Sequence, residues 1–546
     1  MSIEIDPITR SVVQHRLSSI VKEMGEAMLR TSYSQILNSS RDFSLAICDT
    51  RGRLIAQADH IPVHVGALPW ATLAVEQRFE DFRPGDVILL NDPYHGGSHL
   101  PDLTAFVPVF DSERRLLWTI VRAHQSDIGG ATHGGYNPSA TEIWQEGLRV
   151  PPVKLYEAGQ LRSDLLDLLA LNVRNPREFR GDLAAMVGAA HLGERRLSRL
   201  FAEFGAPVVE AAVETILDAA ETQTRAVVST WKDGVFRGEA FLDDDGHGRN
   251  DIRIEAKVTK SGSDIEIDLS DSDPQSTSFV NSSHANMQAA VVMAFAYLID
   301  AGIPKNAGAL RPLKVVARQG TIVWADPGRA VTLCTSHPSN EIVEAIIKAM
   351  AACCPDRVMA GWSRRFRIAI QGENPHTGRN FIWHMFQARP GGGASPVGDG
   401  WPAGGEWQAA GGIKFGSLEV TEVRFPLFFR THEFRPGSGG DGQFRGGPGC
   451  VLEMAAEIDE PARGNTAGDG VKYGACGILG GKDGLPHRYV LHSEGRQQRV
   501  LKTKEVGIEI RPGDVFRIES GGGGGWGDPA KRDPAARERD EINGFV

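Results

Sequence analysis

The sequence predicts an α+β fold of several lobes, with mixed and largely antiparallel sheets, flanking helices and a glycine-rich β C-terminal part. Three observations lead there. At 546 residues the chain is too long for one simple core. Runs of helical spacing and short strand-like runs both recur along its length. Glycine is heavy, 63 of 546 residues, against roughly 7% in average proteins, which predicts many tight loops.

Asp6-Pro7 starts the first helix, because aspartate caps well and proline is preorganised for the first turn. Val13, Leu17, Ile20, Val21, Met24 and Met28 then follow helical spacing to about Tyr33. Strand-like runs at 43–48 and 54–58 flank Asp49-Thr50-Arg51-Gly52, a turn composition, and predict a β-hairpin. Asp42 precedes the first of these strands, and Asp59 and His60 follow the second, so a hairpin brings those ends together. A helix is predicted over 68–79 and strands over 87–90, 103–110 and 116–122. Paired as an antiparallel meander, these three strands place Asp92, Asp102 and His124 on one sheet edge, since successive strands reverse direction.

Helical spacing returns from Arg162 to about Thr230, interrupted by Gly205-Ala206-Pro207. Strands are predicted at 238–242, 252–258 and 265–269, and a long apolar helix from about His284 to Ala301. Then come a hairpin from 313–318 and 321–324 and a helix over 339–352. The last third mixes short strands with glycine, notably at 436–449 and 521–525, before Trp526-Gly527-Asp528-Pro529 and a charged tail. The expected organisation is an N-terminal metal-binding α+β region (1–160), a helical region (161–234), a second α+β region (235–335), a glycine-rich mixed β region (336–529) and the tail (530–546).

Composition narrows the function. The hydrophobic share of 41% and charged share of 23% are ordinary for a soluble protein. A net charge of −10 and a pI near 5.9 give nucleic acid no footing. The longest apolar run, within 287–299, is too short for a bilayer. Met1 to Asp6 has neither the basic nor the apolar part of an export signal. Six cysteines (Cys48, Cys334, Cys353, Cys354, Cys450 and Cys476) form no CxxC pair, so a reduced, cytoplasmic protein is expected. Gly480-Gly481-Lys482-Asp483 lacks both the spacing and the hydroxyl of a phosphate loop.

The chemistry gathers between Asp42 and His133. Six of the 16 histidines (His60, His64, His95, His99, His124 and His133) fall within 74 residues. A lone histidine is usually a structural hydrogen-bonder, so the joint pattern carries the reading. Ser98-His99-Leu100-Pro101-Asp102 sets imidazole and carboxylate three apart on a turn stiffened by proline, and Asp42 and His124 sit at strand ends that can face it. Asp42, His99, Asp102 and His124 are therefore the candidate ligands of a divalent metal, zinc or manganese or else iron(II). His95, Asp92, Asp127 and His133 stand in reserve as orienters of the ligating imidazoles. His99, His124, Asp127 and His95 are the candidate catalytic residues.

Six stretches, in order, also carry a resemblance. They are Asp6-Pro7 with its helix, Ser39-Ser40-Arg41-Asp42-Phe43-Ser44, and Asn91-Asp92-Pro93-Tyr94 with Gly97-Ser98-His99-Leu100-Pro101-Asp102. The others are Ala123-His124-Gln125-Ser126-Asp127-Ile128-Gly129-Gly130, the run at 436–449, and the run at 521–529. Together they resemble the hydantoinase B/oxoprolinase family, essentially from Asp6 to Pro529. The resemblance implies a subunit of an ATP-dependent hydrolase of cyclic amides such as hydantoins, 5-oxoproline or lactams. It implies a hydantoinase A-type partner that binds ATP and phosphorylates the substrate's carbonyl oxygen, after which metal-bound water attacks the carbon and phosphate leaves. It places the family's metal ligands at Asp42, His99, Asp102 and His124. Two alternatives stay open: a subunit of an ATP-dependent ketone carboxylase, and a structural or regulatory subunit whose metal only clamps a loop.

Overall fold

The computed structural model describes residues 4–409, 414 and 416–546. Asp6 caps the first helix, Pro7–Thr31, by accepting from the backbone N–H groups of Ile8 and Thr9 at 3.0 and 3.1 Å. The N-terminal sheet has seven strands: β1 (Phe43–Asp49), β2 (Leu54–Asp59), β3 (Val87–Leu90), β4 (Asp102–Asp111), β5 (Arg114–His124), β6 (Val153–Glu157) and β7 (Gln160–Leu161). Its order is β2-β1-β5-β4-β3-β6-β7, and every neighbouring pair is antiparallel. The predicted hairpin and meander both form.

Alternation along these strands feeds two cores at once. Leu45, Ile47, Val87, Leu89, Leu103, Ala105 and Val121 face the helices Pro7–Thr31 and Pro176–Phe204. Ala46, Cys48, Ile88, Leu90, Phe106, Trp118 and Ile120 face Leu68, Ala71 and Val75 of the helix Leu68–Arg78. A sheet covered on both faces needs nearly continuous apolar strands, which is what Val87-Ile88-Leu89-Leu90 supplies.

Further along lie β8 (Gly234–Asp244), β9 (Asn250–Ser261), β10 (Asp264–Asp268) and β11 (Leu313–Val316), in the order β11-β10-β9-β8. Here the predicted hairpin at 313–324 is corrected. β11 pairs parallel with β10, Ile265 opposite Leu313, while Thr321 and Trp324 make only an isolated bridge. The helix His284–Leu298 lies in the crossover that a parallel pair requires. The helix Ser339–Met350 packs so closely on β8 that a Cβ at Gly238 would lie 2.2 Å from the Ala345 carbonyl oxygen.

The C-terminal sheets are β13-β12-β16-β19 and β14-β15-β20-β17-β18. Their strands are β12 (Phe366–Asn374), β13 (Arg379–His384), β14 (Leu427–Phe434), β15 (Cys450–Ala456), β16 (Ala462–Gly468), β17 (Arg488–His492), β18 (Arg499–Val500), β19 (Lys504–Ile510) and β20 (Val515–Glu519). They enclose their own core, including Ile368, Trp383, Leu452, Tyr489 and Phe516.

Much of the glycine is not in tight loops. Segments around 391–394, 439–449, 477–484 and 521–525 run side by side, backbone against backbone. Gly447 N–H donates to Gly392 O (2.9 Å), Gly523 N–H to Gly447 O (2.9 Å), Gly440 N–H to Gly523 O (2.8 Å) and Gly524 N–H to Gly361 O (2.8 Å). A Cβ at Gly523 would sit 2.0 Å from Gly392 O, so no side chain fits there. Residues 521–525 are all buried. Among the described residues no helix is long and apolar enough to cross a membrane, and all six cysteines are buried and unbridged.

Candidate metal centre

The sheet register assembles the site. Asp102 opens β4 directly opposite His124, the last residue of β5. β1 runs beside β5 with Phe43 opposite Ala123, and His124 N–H donates to the Asp42 carbonyl at 3.1 Å. The loop before β4 is held by Asn91, whose side-chain amide donates to the carbonyls of Leu100 (2.7 Å) and Leu148 (2.9 Å). That clamp sets His99 over the sheet edge.

His99, Asp102 and His124 come together: each offers one ligand atom, and these atoms lie within 4.8 Å of one another in full burial. His99 Nε2 lies 2.8 Å from Asp102 Oδ1 and 3.2 Å from His124 Nδ1, which is itself 3.1 Å from Asp102 Oδ1. His99 Nδ1 donates to the Thr332 carbonyl at 2.6 Å, so in the neutral ring Nε2 turns a lone pair toward its neighbours. Two imidazole nitrogens and a carboxylate oxygen converge in this way, a donor set that fits a divalent cation.

Burial pushes His64 and His124 below the ordinary imidazole range, which favours the neutral form able to ligate, while Asp102 and Asp42 pull the other way. Burial alone would raise the Asp102 carboxyl. His64 and His99 outweigh it and, with bonds from His124 and His99, hold Asp102 well below the usual carboxylate range. Ser98 Oγ donates to Asp102 Oδ2 at 2.6 Å and fixes its other oxygen. Glu146 accepts from the backbone N–H groups of Val331 and Thr332 at 2.9 and 2.8 Å, and so steadies the carbonyl that orients His99.

Asp42 joins the group from its flank. His64, on the short helix Pro62–Gly66, places Nε2 3.6 Å from Asp42 Oδ1 and 3.4 Å from Asp102 Oδ2. Its Nδ1 is buried with no hydrogen-bond partner among the described residues. His64 is thus a site residue that the choice of four ligands missed. Its membership of the histidine cluster was the available signal. Tyr136 was missed too: its ring stacks on His124 (5.8 Å between centroids, 25°) and meets His99 edge-on at 5.8 Å. Beneath it, the Arg367 guanidinium lies 3.9 Å from the Tyr136 ring centre. No sequence signal links residue 367 to residue 136.

The structure does not bring the other candidates into the group. His95 has a side chain 54% exposed and pairs with Asp92 at 3.1 Å. Asp92, on the predicted sheet edge, turns instead to Arg149 at 2.8 Å. Asp127 is committed to Arg174, 2.9 Å away, and to the backbone N–H groups of Gly129 and Arg174. The His133 ring reaches the Ala369 carbonyl at 3.3 Å. A second group, His337, Glu341 and Asp469, is also compact, but it already holds cations: Arg364 lies 2.8 Å from Glu341 and Lys504 3.6 Å from Asp469.

The chain belongs to the hydantoinase B/oxoprolinase family, whose model matches residues 6–529. It is 34% identical to caprolactamase subunit beta of Pseudomonas jessenii, over 99% of this chain and 94% of that one. It superposes on the crystal structure of ATP-dependent caprolactamase from Pseudomonas jessenii with a TM-score of 0.94, at 33% identity, covering 100% of this chain and 95% of that chain. It is also 30% identical to the 5-oxoprolinase PfmaA of Pestalotiopsis fici, over 99% of this chain but only 43% of that longer protein.

Proposed function

We propose that this chain is the metal-bearing subunit of an ATP-dependent hydrolase of cyclic amides, working with an A-type partner subunit that binds ATP. The observation that carries the reading is the convergence of His99 Nε2, His124 Nδ1 and Asp102 Oδ1, with the outer atoms of His99 and Asp102 held by Thr332 and Ser98. Relatives named as a caprolactamase subunit and a 5-oxoprolinase support lactam-type rings as the substrate class.

In this scheme the partner moves the γ-phosphoryl group of ATP onto the ring's carbonyl oxygen. Water adds to the carbonyl carbon, the C–N bond breaks and the ring nitrogen takes a proton. A second water then separates carboxylate from phosphate. A divalent ion, held by His99, His124 and Asp102 with Asp42 and His64 beside them, would polarise the carbonyl and lower the pKa of attacking water. The protein's own part is positional. Thr332 fixes the tautomer of His99, Ser98 and the imidazoles keep Asp102 ionised, and Tyr136 holds the plane of His124. Burial keeps bulk water from the activated carbonyl.

The test is reconstitution with the partner subunit, ATP and a panel of caprolactam, 5-oxoproline and a hydantoin. ADP release coupled to ring opening, lost on chelation and restored by zinc or manganese, is the expected result. Ring opening that survives both chelation and His99→Ala would refute a catalytic metal here.

A further inference from the structure

On the loop that leads to His99, His95 turns outward. With the rings of Trp70, Tyr94, His284 and Trp324 it lines a surface cleft of about 580 Å³, within the roughly 300–1,000 Å³ typical of small-molecule pockets. None of His99, Asp102 or His124 lines this cleft. Arg78, itself exposed, is the single Lys, Arg, Asp or Glu among the described lining residues, so the cleft suits an uncharged ligand.

The walls are held in place. The His284 ring meets Trp70 edge-on at 4.6 Å and Trp324 at 4.5 Å with 49° between the planes. Tyr94 Oη donates to the Arg329 carbonyl at 2.6 Å. Ser283 Oγ donates to the carbonyls of Gly97 and Ser98 at 3.3 and 2.8 Å. That bond ties the loop carrying His95 to the helix that His284 begins.

Neighbours behind the two imidazoles also set what each can offer. His95 Nδ1 lies 3.1 Å from the Asp92 carboxylate, which draws the proton of the neutral ring to that nitrogen and leaves Nε2 an acceptor. Arg149 and the Tyr94 N–H hold Asp92 in turn. The Gln288 amide donates to His284 Nε2 at 3.3 Å, so the proton of that ring sits on Nδ1, a donor. Burial holds His284 below the ordinary imidazole range and favours its neutral form. One acceptor and one donor therefore stand at the same cleft among flat apolar surfaces. Ring closure forces an amide cis, so a cyclic amide presents N–H and C=O side by side along one edge.

We propose that this cleft is a second ligand site, separate from the His99–Asp102–His124 group, for a flat, uncharged ring with a cis-amide edge. The ring N–H donates to His95 Nε2, the ring C=O accepts from His284 Nδ1, and the ring face lies against the indoles of Trp70 and Trp324. Cyclic amides such as hydantoin and nucleobases such as uracil share that edge. The site stands independently of the function proposed above, because binding alone defines it.

Calorimetric titration of hydantoin and of uracil into the intact chain is the test. Saturable binding of at least one is expected, in the wild type and in His99→Ala alike. It should weaken about 10-fold or more in His95→Ala and in Trp70→Ala, which lose a hydrogen bond and a stacking face. His95→Gln, which keeps an acceptor, should recover part of the loss, and unchanged thermal midpoints exclude a folding defect. The 1,3-dimethyl derivatives keep the ring but lack N–H, and should also bind about 10-fold or more weakly. Tighter hydantoin binding assigns the site to cyclic amides, and tighter uracil binding assigns it to nucleobases. Absence of saturable binding, equal binding of the dimethyl derivatives, or binding lost in His99→Ala but kept in His95→Ala overturns the site. A complex that opens no ring would sink the proposed function and leave these titrations to decide the cleft.

Discussion

The sheet edge that carries His99, Asp102 and His124 and the glycine stack of the C-terminal region are built in opposite ways. At the edge, backbone pairing sets the register and side chains do the rest: Asp102 faces His124 because β4 and β5 are paired residue for residue. In the stack the absence of side chains is the structural element, and Gly392, Gly447 and Gly523 bond to one another through backbone alone. The first region should respond chemically, through its few donor residues. The second should tolerate almost no change at its closest contacts, because a Cβ there meets a neighbouring carbonyl that cannot move aside.

Gly523→Ala is the hardest test of this contrast. With the new Cβ 2.0 Å from Gly392 O, the loss should exceed about 4 kcal/mol, among the largest single-residue effects. A variant whose denaturation midpoint stays near wild type would show that the stack can breathe.

Next in size is an acid effect in the same region. His487 is fully buried, accepts from Gly521 N–H at Nδ1 (2.9 Å) and donates from Nε2 to the Arg364 carbonyl (2.8 Å). Burial pushes it down to about 4, against 6.5 for a free imidazole. Its folded pKa is depressed, so between pH 6.5 and 4 the unfolded chain takes up a proton that the folded chain refuses. Stability is therefore complete above 6.5, falls as pH drops toward 4, and levels off below. This one group accounts for up to about 3 kcal/mol of that loss. His133 and His60, also held near 4 by burial, add to the same window. Urea titrations from pH 7 to 4 should show a shallower decline for His487→Gln than for wild type.

At the sheet edge the expected changes are chemical. His99→Ala should abolish stoichiometric metal and cut coupled ring opening by about 100-fold or more. His64→Ala should weaken metal affinity by about 10- to 100-fold, as for a residue that orients or completes the donor set. Asp127→Asn should keep its metal but lose about 1–2 kcal/mol of stability, since Asp127 serves Arg174 and a turn. Metal lost from Asp127→Asn at neutral pH would assign that carboxylate to the site after all. The smallest effect is Gly188→Ala in the helix Pro176–Phe204. No atom lies within 4 Å of the added methyl, so a gain of about 0.5–1 kcal/mol follows from helix propensity.

The same contrast explains what could be read in advance. Asp42, Asp102 and His124 were legible because strand direction alone decides which strand ends share an edge. His64 was not selected because it enters from a separate short helix, Pro62–Gly66, whose angle against the sheet is set by packing. Asp92 and His95 lay on the right loop, but Arg149 claims the Asp92 carboxylate. The parallel β10–β11 pair was misread as a local hairpin, since a crossover leaves no local signal. The glycine runs looked like turns because composition reports freedom from side chains and is silent on what fills the space.

By itself the sequence determined the elements, the alternation that covers both faces of the first sheet, and the strand ends that gather histidine with aspartate. Those are local properties, written in spacing of two or near four residues and in turn chemistry. Only the tertiary structure decided that His64 and Tyr136 close around the group, that Arg367 lies over the Tyr136 ring, and that four glycine segments pack backbone against backbone. Such contacts join separate elements and are chosen by which surfaces exclude water together, which no local pattern encodes.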